Sequence, residues 1–215
     1  MKIANISKIL LMGIGNTVTV FAVTLFFSIP LGLLLSFMSM SKIKVIKAPV
    51  RVFVFIMRGT PLMLQLFFVC FGLPFLPYVG QYLVMDRFVA ACVTFALNYA
   101  AYFCEIFRGG LLSVDAGQYE AAKVLGLTKW HVRTKIVIPQ MIKIVLPAVS
   151  NESITLVKDT ALITTIGVTE TLHYAKSLVN STASVLPYGV AAAFYLGMTF
   201  VLTKLFAYLE RKYAF

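Results

Sequence analysis

The sequence predicts an all-α membrane protein of about five transmembrane helices. Of its 215 residues 60% are hydrophobic and only 13% charged, with a mean hydropathy of +0.91. One soluble core cannot hide that much apolar surface. Several apolar stretches approach the roughly 20 residues that a helix needs to cross hydrocarbon. The net charge of +11 does not gather on one soluble face, as nucleic-acid binding would require, but falls between the apolar stretches. In membrane proteins such clusters set orientation.

The first span is expected over about residues 10–38, with Pro30 and Gly32 near its far end as a kink. Lys2 and Lys8 ahead of it imitate a signal peptide, but the apolar run continues to about Met40 and no A-x-A site follows, so it reads as a retained helix. A second span covers about 50–78, interrupted at Arg58-Gly59-Thr60-Pro61, and the turn-prone stretch from Gly72 to Pro77 ends it. The third runs over about 88–107. A polar, helix-forming segment at 112–134 is too charged to cross the membrane. A fourth span begins near Ile136 and reaches about Ser150, a mixed segment of Ser, Thr and Asn occupies 151–187, and a fifth covers about 188–209. With no internal repeat and no linker, residues 1–215 form a single membrane domain.

Five spans place the termini on opposite sides, and basic residues choose which. Lys2, Lys8, Arg87, Lys158 and Lys176 collect on one side. The other collects Lys42, Lys44, Lys47 and Arg51, then Arg108, Lys123, Lys129, Arg133 and Lys135, then Arg211 and Lys212. The richer side is the cytoplasmic one, which puts the N-terminus outside and the C-terminus in the cytoplasm.

The 112–134 segment carries the most specific pattern. Glu120-Ala121-Ala122 is followed by Gly126 and, nine residues later, by Ile136-x-Ile138-Pro139. This resembles the E-A-A-x3-G-x9-I-x-L-P signature of ABC importer permeases, with Ile138 in the place of Leu. The likeness extends through Gly15-Asn16-Thr17, Arg58-Gly59-Thr60-Pro61 with Gln65, Glu105-x2-Arg108-Gly109-Gly110, Gly117-Gln118-x-Glu120 and Lys158-Asp159-Thr160. These occur in the order seen in permeases for polar amino acids, the His/Gln/Arg/cystine group. One departure is Ala161, where that group has Ser.

The resemblance implies a type I ABC importer transmembrane fold in the bacterial cytoplasmic membrane. It implies a cytoplasmic coupling helix that docks into a groove on a separate ATPase subunit. Gly117, Glu120, Ala121, Ala122, Gly126, Trp130 and Pro139 are the candidates for that contact. The alanines permit close approach, Gly126 permits a sharp turn, Trp130 is an apolar anchor, and Glu120 caps the helix or pairs with a basic group. The alternative is a plain surface helix between two spans. The resemblance also implies an extracytoplasmic amino-acid-binding protein and pairing with a second copy or a homologous permease. It leaves this chain without a cofactor, ATP and Mg being bound by the ATPase.

Polar residues within spans mark candidate substrate-path positions, because a charge in hydrocarbon is costly. Asn98, Tyr102 and Glu105 fall at i, i+4 and i+7 on one helix face. Glu105 could meet the substrate's ammonium or a cationic side chain, or form an ion pair with Arg108 or Arg58. Arg58, beside Thr60 and near Gln65, could bind a carboxylate at a broken helix or cover the freed carbonyls. Glu152, Lys158, Asp159 and Thr160 lie in a polar cavity or in an outward loop.

Enzyme chemistry finds little support. His131 and His173 are isolated, and G-x-S-x-G, H-E-x-x-H and P-loop patterns do not occur. Cys70, Cys92 and Cys104 lie in apolar runs, without metal-ligand spacing, as small packing residues. A secondary transporter driven by an ion gradient remains the alternative, disfavoured by the missing internal repeat and by the E-A-A segment.

Overall fold

The computed structural model describes residues 2–213, so the chain ends expected at Met1 and Phe215 lie outside the described residues. It is almost entirely helical. In chain order the helices are α1 (Ile3–Ser39), α2 (Lys44–Gly59), α3 (Leu62–Phe67), α4 (Arg87–Leu112), α5 (Ala116–Val124), α6 (Lys129–His131), α7 (Ile138–Asp159), α8 (Thr171–Thr182) and α9 (Leu186–Tyr213). Helix α1 continues through Pro30. Among the described residues α1, α4 and α9 are long and apolar enough to cross a membrane, and α2 with the helical stretch after it is so only as a pair, bent by 108° at the break.

Three expected boundaries are corrected. The second span begins at Lys44, not near residue 50, because Lys44, Lys47 and Arg51 lie on one side of an amphipathic helix instead of in a loop. The fourth does not end near Ser150: α7 runs on to Asp159, since Glu152, Lys158 and Asp159 sit on a helix whose other positions, Ser153, Leu156 and Val157, are buried. The 151–187 segment is therefore mostly helical, with a 3-10 turn at Thr160–Ile166 and then α8. Helix α7 is of spanning length, but its charges keep it from being recognised by apolarity.

The core is built around α4, which packs most extensively on α1. Phe95, Tyr99, Phe103 and Phe107 repeat at i, i+4, i+8 and i+12 and stack along one stripe, joined by Val20, Leu66, Met141 and Leu156. Helix α9 buries only Pro187 and Ala191 and leaves Leu196, Phe200 and Val201 exposed, as suits a surface covered by lipid or by another subunit.

Helix α8 is fastened to α1 at close range. A Cβ on Gly13 would collide with the backbone of Glu170 and Thr171. Asn16 Nδ2 donates to the Thr169 carbonyl (2.6 Å), and the Thr17 and Thr171 hydroxyls meet at 3.3 Å. Glu170, fully buried outside the spans, caps α8 by accepting from Leu172 N (2.7 Å) and His173 N (2.6 Å). Burial pushes its carboxyl above the ordinary range, opposed by those donors and by the Tyr195 hydroxyl, which donates at 2.7 Å. The Gly15-Asn16-Thr17 motif thus holds α1 to the start of α8.

Candidate functional site

Two regions gather the residues singled out by sequence. The first lies at the break between α2 and α3. Gly59, Thr60 and Pro61, all exposed, end the helical ladder and free carbonyls on the side where the buried Gln65 and Asn98 lie. Two side-chain amides take them. Gln65 Nε2 donates to Met57 O (2.8 Å), Thr60 O (3.2 Å) and Thr60 Oγ1 (2.8 Å). Asn98 Nδ2, from α4, donates to the same Met57 carbonyl and to Gln65 Oε1, each at 3.0 Å. Gln65 and Asn98 are 8% and 4% exposed, so both face the break and not an open passage. Thr60 Oγ1 in turn donates to Ile56 O (2.9 Å).

Arg58 is thereby released from serving carbonyls. Its guanidinium lies over the Tyr102 ring, 5.2 Å from the centroid. Arg58, Tyr102 and Glu105 line a cavity of about 460 Å³, together with Ser39, Arg51 and Gly59. The expected stripe on α4 therefore divides. Asn98 turns to the break, while Tyr102 and Glu105 open onto the cavity. Glu105 is held by Arg108, whose Nη2 donates at 2.6 Å and whose Nε donates to both carboxylate oxygens at 3.1 Å.

Helix α7 supplies the remaining acidic groups. Glu152 and Asp159 stand seven residues apart, two turns along one face, and both are half-buried. Asp159 Oδ2 accepts from the buried Tyr99 hydroxyl at 2.7 Å. Lys158 is exposed and no close ion pair joins it to Asp159 among the described residues. Thr160 is fully buried and donates to Val157 O (2.6 Å), and Ala161 begins the turn beside it. The Tyr99 ring packs between Phe95 and Phe103 like its aromatic neighbours, and only its hydroxyl, which reaches Asp159, sets it apart from packing residues.

The second region is the E-A-A segment. It is two short helices joined by a glycine turn. Asp115, not Glu120, caps α5, its carboxylate accepting from Gly117 N at 2.7 Å. Glu120 is exposed mid-helix, which corrects its expected place at the helix start. Helix α5 ends in a Schellman motif, with Leu127 N donating to Ala122 O (3.0 Å) and Gly126 N to Lys123 O (3.1 Å). Gly126 occupies the left-handed position, φ +67°, and no atom of this chain lies within 4 Å of where its Cβ would be.

Ala122 is buried against the core, while Ala121 is exposed, so the two alanines face opposite surroundings. Val124, Leu125 and Trp130, at the end of α5 and the start of α6, stand 87%, 74% and 75% exposed. From Lys129 the chain is helical without interruption to Asp159, through α6, a π-helical turn at Val132–Val137, and α7 with Pro139 in its first turn. Among the described residues no group of His, Cys, Asp and Glu could hold a metal ion.

Comparison with known proteins agrees with this anatomy. The family described as binding-protein-dependent transport system inner membrane component matches residues 28–215. The octopine transport system permease protein OccM of Rhizobium radiobacter is 40% identical over 193 residues, 86% of this chain and 79% of its own length. The arginine transport system permease protein ArtQ of Bacillus subtilis is 35% identical over 94% of this chain and 91% of its own. A crystal structure of an amino acid ABC transporter superposes with a TM-score of 0.86 at 32% identity, covering 99% of both chains. The MetNI methionine transporter in an inward-facing conformation, at 20% identity and a TM-score of 0.76, shares the fold. The chain belongs to the family of binding-protein-dependent transport system inner membrane components.

Proposed function

We propose that this chain is the permease subunit of an ATP-driven importer that carries a polar amino acid across the bacterial cytoplasmic membrane. The observation that carries the proposal is the uninterrupted helical rod from Lys129 to Asp159. One end lies beside the exposed Val124, Leu125 and Trp130, a surface suited to an ATPase groove. The other bears Glu152 and Asp159. About 1.5 Å of rise per residue puts Trp130 and Glu152 roughly 33 Å apart along the rod. A displacement of the E-A-A segment would reach the carboxylates along one continuous helix, with the π-helical turn at Val132–Val137 and Pro147 as the places where it can bend.

In this reading the ATPase binds ATP and Mg, a second permease completes the pore, and an extracytoplasmic binding protein delivers substrate. Closure of the ATPases shifts the population between inward- and outward-open states. Arg58 beside Tyr102 offers a cation to the substrate carboxylate, and Glu105, Glu152 and Asp159 offer anions to an ammonium or cationic side chain. Thr60, Gln65 and Asn98 serve indirectly by holding the break that presents Arg58. The names of the relatives, which transport octopine, arginine and glutamine, support a nitrogen-rich polar substrate.

Reconstitution into vesicles with a P-loop ATPase and a binding protein tests the function. Uptake of labelled arginine or glutamine is expected to require ATP and to persist when ionophores collapse ion gradients. Uptake by this chain alone, abolished by ionophores, would identify a gradient-driven transporter instead. The proposed orientation places the E-A-A segment inside. Gly80 is buried against the Pro74 carbonyl, so the label goes on its neighbour: a cysteine at Tyr82, 79% exposed, should react from outside on intact cells, and reaction only after permeabilisation would reverse the topology.

Glu105→Gln separates path from scaffold. It keeps the shape while removing the charge that Arg108 holds. Transport is expected to fall at least fivefold with the complex still assembled. A variant that fails to assemble would make the pair structural.

A further inference from the structure

A second polar cavity lies away from the break, where α1 ends and the E-A-A segment begins. It measures about 650 Å³ and brings together Lys42, Lys129 and Arg133 with Tyr119, above an apolar wall that includes Phe37 and Val137. An adjoining cavity of about 530 Å³ shares Tyr119, Lys129 and Arg133 and adds Lys123. Among the described residues no Asp or Glu lines either one. No ion pair ties Lys42, Lys129 or Arg133 to a carboxylate there, although the chain has eight acidic residues. Arg133 is held over the Phe37 ring, 5.8 Å from the centroid, which fixes one cation at the apolar wall.

The groove is partly open and the three cations are exposed, so water screens them in part, but an anion seated among them would relieve what repulsion remains. The space is also mostly apolar, lined by Phe37, Met38, Ile46, Leu111 and Val137, which a fully hydrated anion would not need. Its position completes the argument. Lys42 follows directly on α1, so the cations stand at the depth where a spanning helix leaves the membrane. Phe26, 73% exposed, lies eleven residues before Phe37, three turns up the same face of α1. Leu34, 55% exposed, lies between them in sequence, so the apolar exterior of α1 leads toward the cavity.

We infer that this cavity binds the headgroup of an anionic phospholipid, with Lys42, Lys129 and Arg133 on the phosphate and an acyl chain laid along Phe37 toward Phe26. Basic pockets between spanning helices at the membrane boundary take such headgroups, each cation contributing about a fivefold gain in affinity. A bound lipid would join the end of α1 to the E-A-A segment. The inference requires only that the chain lie in a membrane, not that it import amino acids.

The test uses the full chain, extracted in mild detergent with whatever partners accompany it. Phosphatidylglycerol and phosphatidylcholine with the same acyl chains are added, and retained lipid is counted by native mass spectrometry. Phosphatidylglycerol should be retained in preference. The combined variant Lys42→Gln, Lys129→Gln, Arg133→Gln should bind it roughly 100-fold more weakly, with phosphatidylcholine unaffected. The charge-preserving set Lys42→Arg, Lys129→Arg, Arg133→Lys should retain it. Equal retention of both lipids, undiminished binding in the glutamine variant, or loss in the charge-preserving one would overturn the inference. Displacement by millimolar glycerol phosphate would make this a soluble-phosphate site. Loss of an ATPase partner with the lipid still bound would make it a docking surface.

Discussion

Gly126→Val is expected to leave the protein inserted and abundant while cutting uptake at least tenfold and weakening retention of the ATPase. Gly126 is the left-handed residue of the Schellman motif that ends α5. A β-branched side chain at φ +67° costs roughly 1–2 kcal/mol or more from contact between Cβ and the backbone. Nothing in this chain lies within 4 Å of the Cβ position, so the damage is local to the turn. That turn sets the angle between α5 and the stretch carrying Trp130. Gly126→Asn gives a finer test, because Asn tolerates the left-handed conformation. If backbone shape is the requirement, Asn should restore most uptake. If a partner's surface packs on the glycine itself, Asn should fail as Val does. Membrane abundance, ATPase co-purification and uptake are measured side by side, and normal values of all three in the Val variant would remove the main support for the coupling role.

Gln65→Leu is expected to lower both stability and transport, the latter by about tenfold. Leucine nearly matches the volume of glutamine but offers neither donor nor acceptor. Thr60 O loses its side-chain donor, Met57 O keeps only Asn98, and one Asn98 hydrogen bond disappears. Each buried polar group left unpaired costs about 1–3 kcal/mol. At this chain length each kcal/mol lowers a thermal midpoint by about 2–4 °C. The break should loosen and Arg58 should lose its position over Tyr102. Thermal unfolding in detergent and uptake in vesicles measure the two effects, and an unchanged midpoint would show that the amides do not hold the bend.

The sequence and structure agree where one kind of residue dominates. α1, α4 and α9 were legible because long apolar runs have few other interpretations. The break at Arg58-Gly59-Thr60-Pro61 was legible because Gly and Pro interrupt a helix for local reasons. In the sequence Glu152, Lys158 and Asp159 of α7 look like the edge of a span. Only tertiary burial of Ser153, Leu156 and Val157 reveals that the helix continues. The start of α2 is obscured for the same reason, its lysines resembling a loop.

Side-chain partners were less legible than elements. The spacing of Asn98, Tyr102 and Glu105 placed them on one face, but a face can meet two environments along its length. Asn98 lies level with the break and Glu105 beyond it. Asp115 ahead of Ala-Gly-Gln is a good helix cap on local grounds, whereas the motif residue Glu120 carries no capping signal of its own. The buried Glu170 cap, with its bond to Tyr195, spans 25 residues and has no local signature.

Val124, Leu125 and Trp130 project beyond the spanning helices with most of their surface uncovered. In a cell this has a consequence for dosage. A chain made in excess of whatever covers the patch would display the same kind of greasy surface that chaperones and membrane proteases use to recognise orphans. Its steady-state level would then follow the supply of its partner more closely than its own rate of synthesis, so that matched translation of neighbouring subunits would do more for yield than a stronger promoter.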